Sequence, residues 1–268
     1  LDARIRSIVR EHNARETLAE HGLTPRRKIL LSGPPGTGKT EELIRLALGY
    51  ADYRVLLCAP TNIGAANLYT RVRQRASKTD VSLVMPPNRI PHDTAYDSAD
   101  PNARIVCATV SGRNGPKLCN QSFDIILMDE AGQVCEASAW GLLRPDVCIL
   151  IMGGDIRQLP QTVSEVGKQN MHDRSMMKRL MQLGYPRTEL CVQRRMSRNI
   201  VDFPNTTFYE GRLETDLGDR QELDDDFALH HVDGSESKEG SSFYNLDEIK
   251  SIKKLVTGME DVVVLTGY

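Results

Sequence analysis

The residues most able to do chemistry form the eight-residue run GPPGTGKT at positions 33–40. This run matches the spacing G-x-x-x-x-G-K-[ST] in full. In such loops the glycines let backbone N–H groups close around phosphates, the lysine reaches the outer phosphate oxygens, and the hydroxyl contacts Mg²⁺. The motif therefore predicts a nucleotide-binding loop. Its residues are Gly33, Pro34, Pro35, Gly36, Thr37, Gly38, Lys39 and Thr40.

A second candidate group, Asp129 and Glu130, follows the apolar run IILM. One carboxylate at the end of a strand can hold Mg²⁺, and another can orient and deprotonate a water that attacks a phosphate. We assign the first role to Asp129, acting through water or the Thr40 hydroxyl, and the second role to Glu130. An acidic pair after a strand is a weak signal alone, but downstream of a phosphate loop it predicts nucleotide hydrolysis.

Two further segments contain polar side chains that suit a γ-phosphate. In GGDIRQLP, at 153–160, the amide of Gln158 can hydrogen-bond a phosphate oxygen, although Asp155 also suits a helix-capping loop. In QRRM, at 193–196, Arg195 can supply a positive charge from a second domain, although adjacent arginines more often form a solvated face. Each segment taken alone leaves both interpretations open.

These segments follow apolar runs that predict β-strands. Five runs fit strands, at 28–31, 54–59, 104–109, 124–128 and 146–152, and they alternate with helix-length segments such as 41–50. This alternation predicts an α/β fold with right-handed crossovers, a parallel sheet covered on both faces, and ligands at the carboxyl ends of the strands. The polar, proline-rich stretch at 77–102 predicts an irregular excursion.

The pattern changes after Pro186. The remaining segments are a short run at 188–192, an acidic loop at 222–226, a strand at 227–232, a Ser/Gly-rich turn, a helix at 246–256 and a strand at 261–265. We therefore divide the chain into a first domain, residues 1–185, and the start of a second α/β domain, residues 186–268. About 80 residues fall short of the usual domain size, so the second domain is expected to be incomplete.

Composition narrows the possible classes of protein. The 268 residues carry a formal net charge of −2 and contain no apolar run approaching the ~20 residues that span a bilayer. We therefore expect no membrane association and no global basic field, so that nucleic-acid binding would depend on a local groove. Six cysteines without a C-x-x-C pair suggest free thiols in a reducing compartment, the cytoplasm or the nucleus. The chain begins at Leu1, which suggests a piece of a longer protein.

In their order along the chain, the motifs resemble those of the superfamily 1 helicases, within the group typified by the nonsense-mediated-decay RNA helicase and senataxin. The matching segments are GPPGTGKT, CAPTN at 58–62, CATVSG at 107–112, DEAGQ at 129–133, GDIRQLP at 154–160, QRRM with its flank to 211, and the final VVVLTGY. The resemblance implies RecA-like motor domains that hydrolyse ATP with Mg²⁺ and act on single-stranded nucleic acid, with RNA favoured over DNA.

The resemblance also implies roles for individual residues. Those expected to serve ATP and Mg²⁺ are Lys39, Thr40, Asp129, Glu130, Gln158 and Arg195. Those expected to line the track of a single strand are Pro60, Thr61, Asn62 and Thr109. Separately from the resemblance, the slightly negative net charge leads us to expect phosphate contacts from a few local cations such as Arg71, Arg73 and Arg75. Where the family usually has a tyrosine, this chain has Arg194, whose guanidinium can stack on the adenine ring.

Two other functions stay open from the sequence. An AAA+ type ATPase that remodels proteins can also carry GPPGTGKT and a strand ending in Asp-Glu, although GDIRQLP and QRRM do not belong to that pattern. A catalytically silent nucleotide-binding scaffold or fragment is the other alternative. Because the sequence stops before the segments that carry the family's motifs V and VI, we expect this chain alone to hydrolyse ATP slowly.

Overall fold

The computed structural model describes residues 7, 10–77, 80–92, 94, 99–218, 228–240, 242–260 and 262–265. The chain divides into two compact units, residues 1–222 and 223–268. This division lies downstream of the expected boundary at residue 185, because the chain after Pro186 adds a strand to the first sheet. The assignment of the two parts to two motor domains stays a prediction.

The first unit is built on a sheet of seven parallel strands in the order β3-β4-β2-β5-β6-β1-β7. The strands are β1 Lys28–Ser32, β2 Val55–Ala59, β3 Val81–Val84, β4 Ile105–Thr109, β5 Ile125–Met128, β6 Ile149–Gly154 and β7 Arg187–Glu189. Every residue of β2 to β6 is buried, as expected for strands covered by helices on both faces. The α/β class and all five predicted strands are confirmed, although the last of them begins at Ile149 rather than at residue 146.

Helices cover both faces of this sheet. The helices of this unit are α1 Arg15–Glu20, α2 Lys39–Gly49, α3 Asn62–Arg73, α4 Glu136–Trp140, α5 Glu165–Gln169, α6 Met176–Gln182 and α7 Arg198–Phe208. Of these, α2 and α3 pack in the core on one face, and α4 and α6 pack in the core on the other. Leu43 packs in one core with Leu31, whereas Phe123 and Met177 pack in the other with Leu30. The neighbouring residues of β1 enter different cores because successive strand side chains point to opposite faces. None of the helices that the described residues form is long and apolar enough to cross a lipid bilayer.

The excursion predicted at 77–102 contains a strand, β3, that the sequence analysis missed. β3 lies at the edge of the sheet, where it pairs with β4, and its four residues are buried. The run VSLV is short, is interrupted by Ser82 and precedes a proline-rich stretch. Such a run lacks the length and the uninterrupted apolar character that identify an inner strand.

The run predicted at 188–192 as part of a second domain is divided between two sheets. β7 pairs in parallel with β1, and the short strand β8 Val192–Gln193 pairs with β9 Glu214–Thr215. Between them, the N–H of Leu190 donates to the carbonyl of Ser32 at 2.8 Å. The chain therefore continues alongside β1 and the loop that follows it, which is a long-range pairing that local sequence does not report.

The second unit contains a hairpin and a helix among its described residues. β10 Ser237–Glu239 and β11 Ser242–Tyr244 are antiparallel. The helix α8 Leu246–Val256 confirms the predicted helix. It is capped by Asn245, whose side-chain oxygen accepts the N–H of Asp247 at 3.0 Å, the usual role of asparagine before a helix.

The two strands predicted for this unit, at 227–232 and 261–265, are wrong where the structure describes them. Residues 228–232 and 262–265 form no strand. Their β-branched residues suit a strand, but a strand also needs a partner, and none lies beside them in the described part of the unit. The acidic loop predicted at 222–226 lies outside the described residues.

A buried arginine fixes the loop that follows β4. Arg113 is fully buried, and its guanidinium donates hydrogen bonds to the carbonyls of Leu118 and Gln121. The guanidinium carbons of Arg113 and Arg54 each lie 5.0 Å from the centroid of the Phe123 ring. Burying a cation is costly, and the hydrogen bonds from both terminal nitrogens of Arg113 offset part of that cost while they hold the loop, although its Nε has no hydrogen-bond partner among the described residues.

Arg113→Ala should lower the free energy of unfolding by about 2–4 kcal/mol, because two carbonyls lose their donors and the Phe123 ring loses a packing partner. Urea denaturation followed by circular dichroism measures this change. Arg89→Ala, which removes an exposed arginine from the same unit, should change the free energy by less than ~0.5 kcal/mol. Equal effects of the two substitutions would contradict this account of the loop.

Candidate active site

The phosphate loop connects the carboxyl end of β1 to the first turn of α2. Gly36 and Gly38 have φ angles of 78° and 86°, in the left-handed region that glycine adopts without strain. Gly38 directly precedes α2, so the free N–H groups at the start of that helix belong to the loop. The Lys39 ammonium donates hydrogen bonds to the carbonyls of Gly33 and Pro34, at 2.6 and 2.8 Å. The local structure is that of an anion-binding loop.

One hydrogen bond joins this loop to the end of β5. The hydroxyl of Thr40 donates to Asp129 Oδ2 at 2.7 Å, although the two residues are 89 positions apart. Asp129 is only 6% exposed, and its other oxygen accepts the backbone N–H of Glu130 at 3.1 Å. Burial raises the pKa of Asp129, and the hydrogen bond from Thr40 opposes that shift. The structure thus brings the two predicted Mg²⁺ ligands into direct contact.

A cavity of about 410 Å³, here called the phosphate-loop cavity, is lined by residues from several elements. They are Pro35, Gly36, Gly38, Lys39, Thr40, Glu41, Arg71, Glu130, Gln158, Arg194 and Arg195. The cavity thus gathers the predicted base, the predicted amide and both arginines of QRRM beside the phosphate loop. Their chemical roles stay predictions.

The charged groups around this cavity shift one another's pKa values. Burial, followed by the negative charge of Asp129, raises the pKa of Glu130, while Lys39 opposes the shift. Burial lowers the pKa of Lys39, and the charge of Glu130 opposes that shift in turn. Glu130 also has a φ of 50°, which is uncommon for a residue with a side chain. A carboxyl group with a raised pKa in a cleft is suited to act as a general base.

The QRRM segment reaches the cavity from within the first unit. Gln193 is fully buried, and its side-chain oxygen accepts the N–H groups of Arg195 and Met196 at 3.0 and 2.9 Å. The N–H of Arg194 donates to the carbonyl of Gly36 at 3.0 Å. The structure places Arg195 in the same compact unit as the phosphate loop, because this segment continues the path of β7 beside that loop. Its delivery from a second motor domain stays a prediction.

The sequence predicts a role for Arg194, whereas it predicts no individual role for Gln193. Arg194 lines the cavity, and its guanidinium lies 2.9 Å from the carboxylate of Asp216. The buried amide of Gln193 also donates to the carbonyl of Met196 and to the hydroxyl of Thr215, at 2.7 and 2.9 Å. Gln193 therefore shapes the turn that positions both arginines, a role that the sequence analysis missed.

Gln158 is held by a network centred on Asp155. Its amide donates to Asp155 Oδ2 at 3.3 Å, and the hydroxyl of Tyr209 donates to the same oxygen at 2.6 Å. The other oxygen of Asp155 accepts the N–H of Arg157 at 3.0 Å. Asp155 thus organises the loop, although it caps no helix, because the next helix begins at Glu165. The organised loop places Gln158 in the phosphate-loop cavity. Tyr209, directly after α7, lies in the flank of QRRM that the resemblance covers, but the sequence assigns it no role.

Three residues of the phosphate loop do not line the phosphate-loop cavity. Gly33 and Pro34 line a neighbouring cavity of about 240 Å³ together with Asp155 and Tyr209. Thr37 is buried, and its hydroxyl donates to the carbonyl of Pro34 at 2.9 Å. These residues support the shape of the loop.

A separate cavity of about 360 Å³, here called the β2–β4 cavity, lies at the carboxyl edge of the sheet. It is lined by Pro60, Thr61, Val110, Ser111, Gln133, Val134, Ser138, Pro160, Gln161 and Thr162. Pro60 and Thr61 are thus the predicted strand-contact residues that line it, whereas Asn62 is the first residue of α3. Thr109 is 9% exposed, and its hydroxyl accepts the N–H of Gly112 at 3.0 Å, so it shapes the edge of this region.

The three arginines expected to serve as cations for a nucleic acid do not line the β2–β4 cavity. Arg73 donates to the hydroxyl of Tyr69 at 3.1 Å, and Arg75 forms an ion pair with Glu41. Arg71, in the last turn of α3, lines the phosphate-loop cavity instead. The sequence analysis missed this position because only the tertiary packing brings the end of α3 beside the loop after β1.

A parallel sheet with a phosphate loop after β1 and an acidic pair after β5 defines a P-loop nucleotide-binding domain. A family model described as an AAA domain matches residues 10–100 and 92–165, and a second model with the same description matches residues 172–265. The chain belongs to this AAA domain family of nucleotide-using proteins.

The relatives of the chain include proteins of the predicted helicase group. It is 25% identical over 327 residues to a regulator of nonsense transcripts 1 homolog of Neurospora crassa. The match covers 96% of this chain and 30% of that relative. It is 31% identical over 185 residues to the probable helicase senataxin of Homo sapiens. That match covers 59% of this chain and 7% of that relative. The resemblance to this group of superfamily 1 helicases is confirmed, and the chain spans less than a third of these two relatives.

Solved structures show the same fold. The arterivirus nonstructural protein 10 helicase, in a complex with DNA, matches with a TM-score of 0.53 and 15% identity, covering 84% of this chain and 48% of that chain. Another structure of arterivirus nonstructural protein 10 has a TM-score of 0.50 and 15% identity, covering 78% and 42%. At this level of identity the likeness shows the fold alone, and it confirms the RecA-like class.

Glu130→Gln should raise the melting temperature at about pH 8, because burial raises the pKa of this carboxyl above its ordinary 4.5 and its ionisation therefore opposes folding. The folded chain binds this proton more tightly than the unfolded chain. The contribution of the protonated Glu130 carboxyl to stability is therefore largest below pH 4.5, and it falls as the pH rises through the native pKa. Thermal unfolding across this range should show the gain shrinking towards pH 4.5.

Glu165→Gln is the matched control, since Glu165 is an exposed glutamate of the same unit. It should change the melting temperature little at any pH, because exposed ion pairs contribute little to stability. A gain from Glu130→Gln that stays constant with pH would contradict the burial argument.

Proposed function

We propose that this chain binds and hydrolyses ATP as part of a helicase or translocase on single-stranded nucleic acid, with RNA favoured over DNA. The observation that carries the proposal is the hydrogen bond from Thr40 to Asp129 beside a cavity that also gathers Glu130, Gln158 and Arg195. Because these five residues come from four separate segments, their convergence is a tertiary feature and not a by-product of one motif.

Thr40 and Asp129 would hold Mg²⁺. A hydroxyl and a carboxylate oxygen are donors that suit this ion, which takes its other ligands from phosphates and water. In the part of the chain that the structure describes, no group of three His, Cys, Asp or Glu side chains is placed to hold a metal. That finding fits an ion that is bound jointly by the protein and the nucleotide. When bound, Mg²⁺ would offset the charge of the phosphates.

The remaining side chains of the cavity divide the chemistry among them. Glu130 would orient the attacking water and accept its proton, because its carboxylate is half-buried and has a raised pKa. Lys39, Gln158 and Arg195 would donate hydrogen bonds to the γ-phosphate, where negative charge is concentrated. Arg194 would stack on the adenine ring through its guanidinium plane.

The β2–β4 cavity would hold the nucleic-acid strand at Pro60 and Thr61, with Asn62 and Thr109 beside it. Its lining contains hydroxyl and amide groups and no charged side chain, so contacts to the strand would be hydrogen bonds that carry little sequence preference. The segment that supplies Glu130 to one cavity supplies Gln133 to the other, and the Gln158 segment likewise reaches both. This arrangement would let a bound nucleotide influence the grip on the strand.

The choice of RNA draws on the relative from Neurospora crassa, whose name refers to nonsense transcripts. The arterivirus helicase was solved with DNA, so a DNA strand is the natural comparison in any binding test. A protein-remodelling ATPase has less support, since the relatives described above include a named helicase and the chain holds a second cavity at the same sheet edge. The six cysteines are free, which fits a reducing compartment such as the cytoplasm or the nucleus.

Lys39→Ala should weaken the binding of Mg-ATP about tenfold or more, because the ammonium that reaches the phosphates is lost. Glu130→Gln should leave binding nearly unchanged and lower the turnover rate by about 10²-fold or more, because an amide cannot accept the proton of the water. Titration with a fluorescent ATP analogue measures binding, and phosphate release with and without single-stranded RNA measures turnover.

Lys28→Gln is the control, since Lys28 is exposed at the amino end of β1, the edge opposite the phosphate loop. It should change neither quantity. Equal losses of binding in Lys39→Ala and Glu130→Gln would contradict the role given to Glu130. The absence of any turnover in the unsubstituted chain, even with RNA or DNA, would favour a silent nucleotide-binding scaffold.

Arg71→Gln should weaken the binding of Mg-ATP by about threefold to tenfold, because a cation is removed from the phosphate-loop cavity. Arg73→Gln removes the same charge from the same helix at a residue that does not line the cavity, so it should leave ATP binding unchanged. Both variants are compared by nucleotide titration and by binding of a labelled RNA. Weaker RNA binding with unchanged ATP binding in Arg71→Gln would instead support the original expectation that Arg71 contacts the nucleic acid.

A further inference from the structure

A small apolar cavity of about 200 Å³ lies beside the ends of β3 and β4, apart from the two cavities described above. It is lined by Val84, Met85, Pro86, Pro87, Gly112, Gly115, Pro116 and Lys117. Val84 and Met85 are 5% exposed and form its base, whereas Pro86, Pro87 and Lys117 are exposed. It is called the proline cavity below. Its lining combines apolar surfaces with a single charged group, the ammonium of Lys117.

The wall formed by the loop after β4 is held in place by hydrogen bonds from buried and half-buried groups. Arg113 donates to carbonyls of this loop from a fully buried position, and Arg144 donates to the carbonyl of Cys119 in the same loop. At the start of the loop, the N–H of Gly112 donates to the hydroxyl of Thr109 at 3.0 Å. A Cβ on Gly112 would lie 2.9 Å from that hydroxyl oxygen, so a side chain here would displace the hydroxyl that accepts this hydrogen bond. The cavity is therefore preformed, which lowers the cost of binding a ligand.

The proline cavity shares an edge of the sheet with the β2–β4 cavity. Both lie at the carboxyl ends of parallel strands, and β4 contributes to both through the residues that follow it. Val110 and Ser111 line the β2–β4 cavity, and the next residue, Gly112, lines the proline cavity. A strand that crosses the first cavity in the direction of β3 would therefore reach the second.

We propose that the proline cavity receives an unpaired base of the single strand, with Lys117 contacting an adjacent phosphate. The proposal rests on the proposed function. A base presents two flat apolar faces, which suit the rings of Pro86 and Pro87, and the thioether of Met85 can contact the edge of an aromatic ring. The backbone of the strand carries negative charge, which suits Lys117. Because every base has such a face, the contact would tolerate different sequences.

The test compares two ligands in the full chain: a labelled oligouridylate of about 12 nucleotides and a strand of the same length without bases. In the double variant Pro86→Ala with Pro87→Ala, affinity for the oligouridylate should fall about threefold to tenfold, whereas affinity for the strand without bases should not change. Fluorescence anisotropy measures both affinities. Thermal unfolding of the variant establishes that it is folded.

Lys117→Gln provides a second, independent variant at an exposed position. It should lower the affinity for both ligands by the same factor. It should also reduce the slope of log affinity against log salt by about 0.7, the value for one phosphate contact on a single strand. Lys28→Gln, at the opposite edge of the sheet, should alter neither the affinities nor the slope.

Two outcomes would overturn the proposal, and they are distinguishable. If the unsubstituted chain binds the oligouridylate and both variants bind it as tightly with the same salt slope, the strand is held elsewhere, and the proposed function stands without the proline cavity. If the unsubstituted chain binds neither ligand at low salt, with or without ATP, the strand-binding part of the proposed function fails together with the proposal.

Discussion

The hydrogen bond from Thr40 to Asp129 joins two segments whose strands are separated in the sheet by β6, a strand that ends in two glycines. The sheet order places β6 between β1 and β5, so side chains that follow those two strands must meet over the end of β6. β6 ends in Gly153 and Gly154, and a Cβ on Gly154 would lie 2.7 Å from the backbone nitrogen of Gly132. Gly154 therefore leaves the space that the turn after Glu130 occupies, whereas a Cβ on Gly153 would lie 3.0 Å from the side chain of Leu43 in α2. A larger residue at position 154 would displace the turn that directly follows Asp129 and Glu130.

Local sequence specified much of this fold. The inner strands are apolar runs long enough to be recognised, because a strand covered on both faces needs apolar residues throughout. The phosphate loop and the acidic pair are recognisable for a different reason, since phosphate and Mg²⁺ accept few kinds of ligand. The helix at 246–256 was predicted with its observed bounds, because the Asn245 cap and its apolar spacing are both local signals.

What the sequence could not supply is the choice of partner. β7 and the predicted strand at 261–265 both looked like the strands of a second domain, yet β7 pairs with β1, and residues 262–265 form no strand. For the same reason the sequence does not show that the Arg195 segment runs beside the phosphate loop within one compact unit, or that Arg71 reaches the phosphate-loop cavity. Each reaches the phosphate-loop cavity through tertiary packing, the first along β7 and the second at the end of α3, and neither path leaves a periodic trace in the sequence.

The contact between Gly36 and Arg195 has a consequence for how this site can evolve. A Cβ placed on Gly36 would lie 2.6 Å from the Cβ of Arg195. Any side chain at position 36 would therefore displace the backbone that presents the arginine, in addition to straining the loop itself at its φ of 78°. Substitutions at the two positions are therefore not independent, because a change at one position alters which residues the other can accommodate. The packing of the site therefore predicts epistasis between a loop glycine and an arginine almost 160 residues later in the chain.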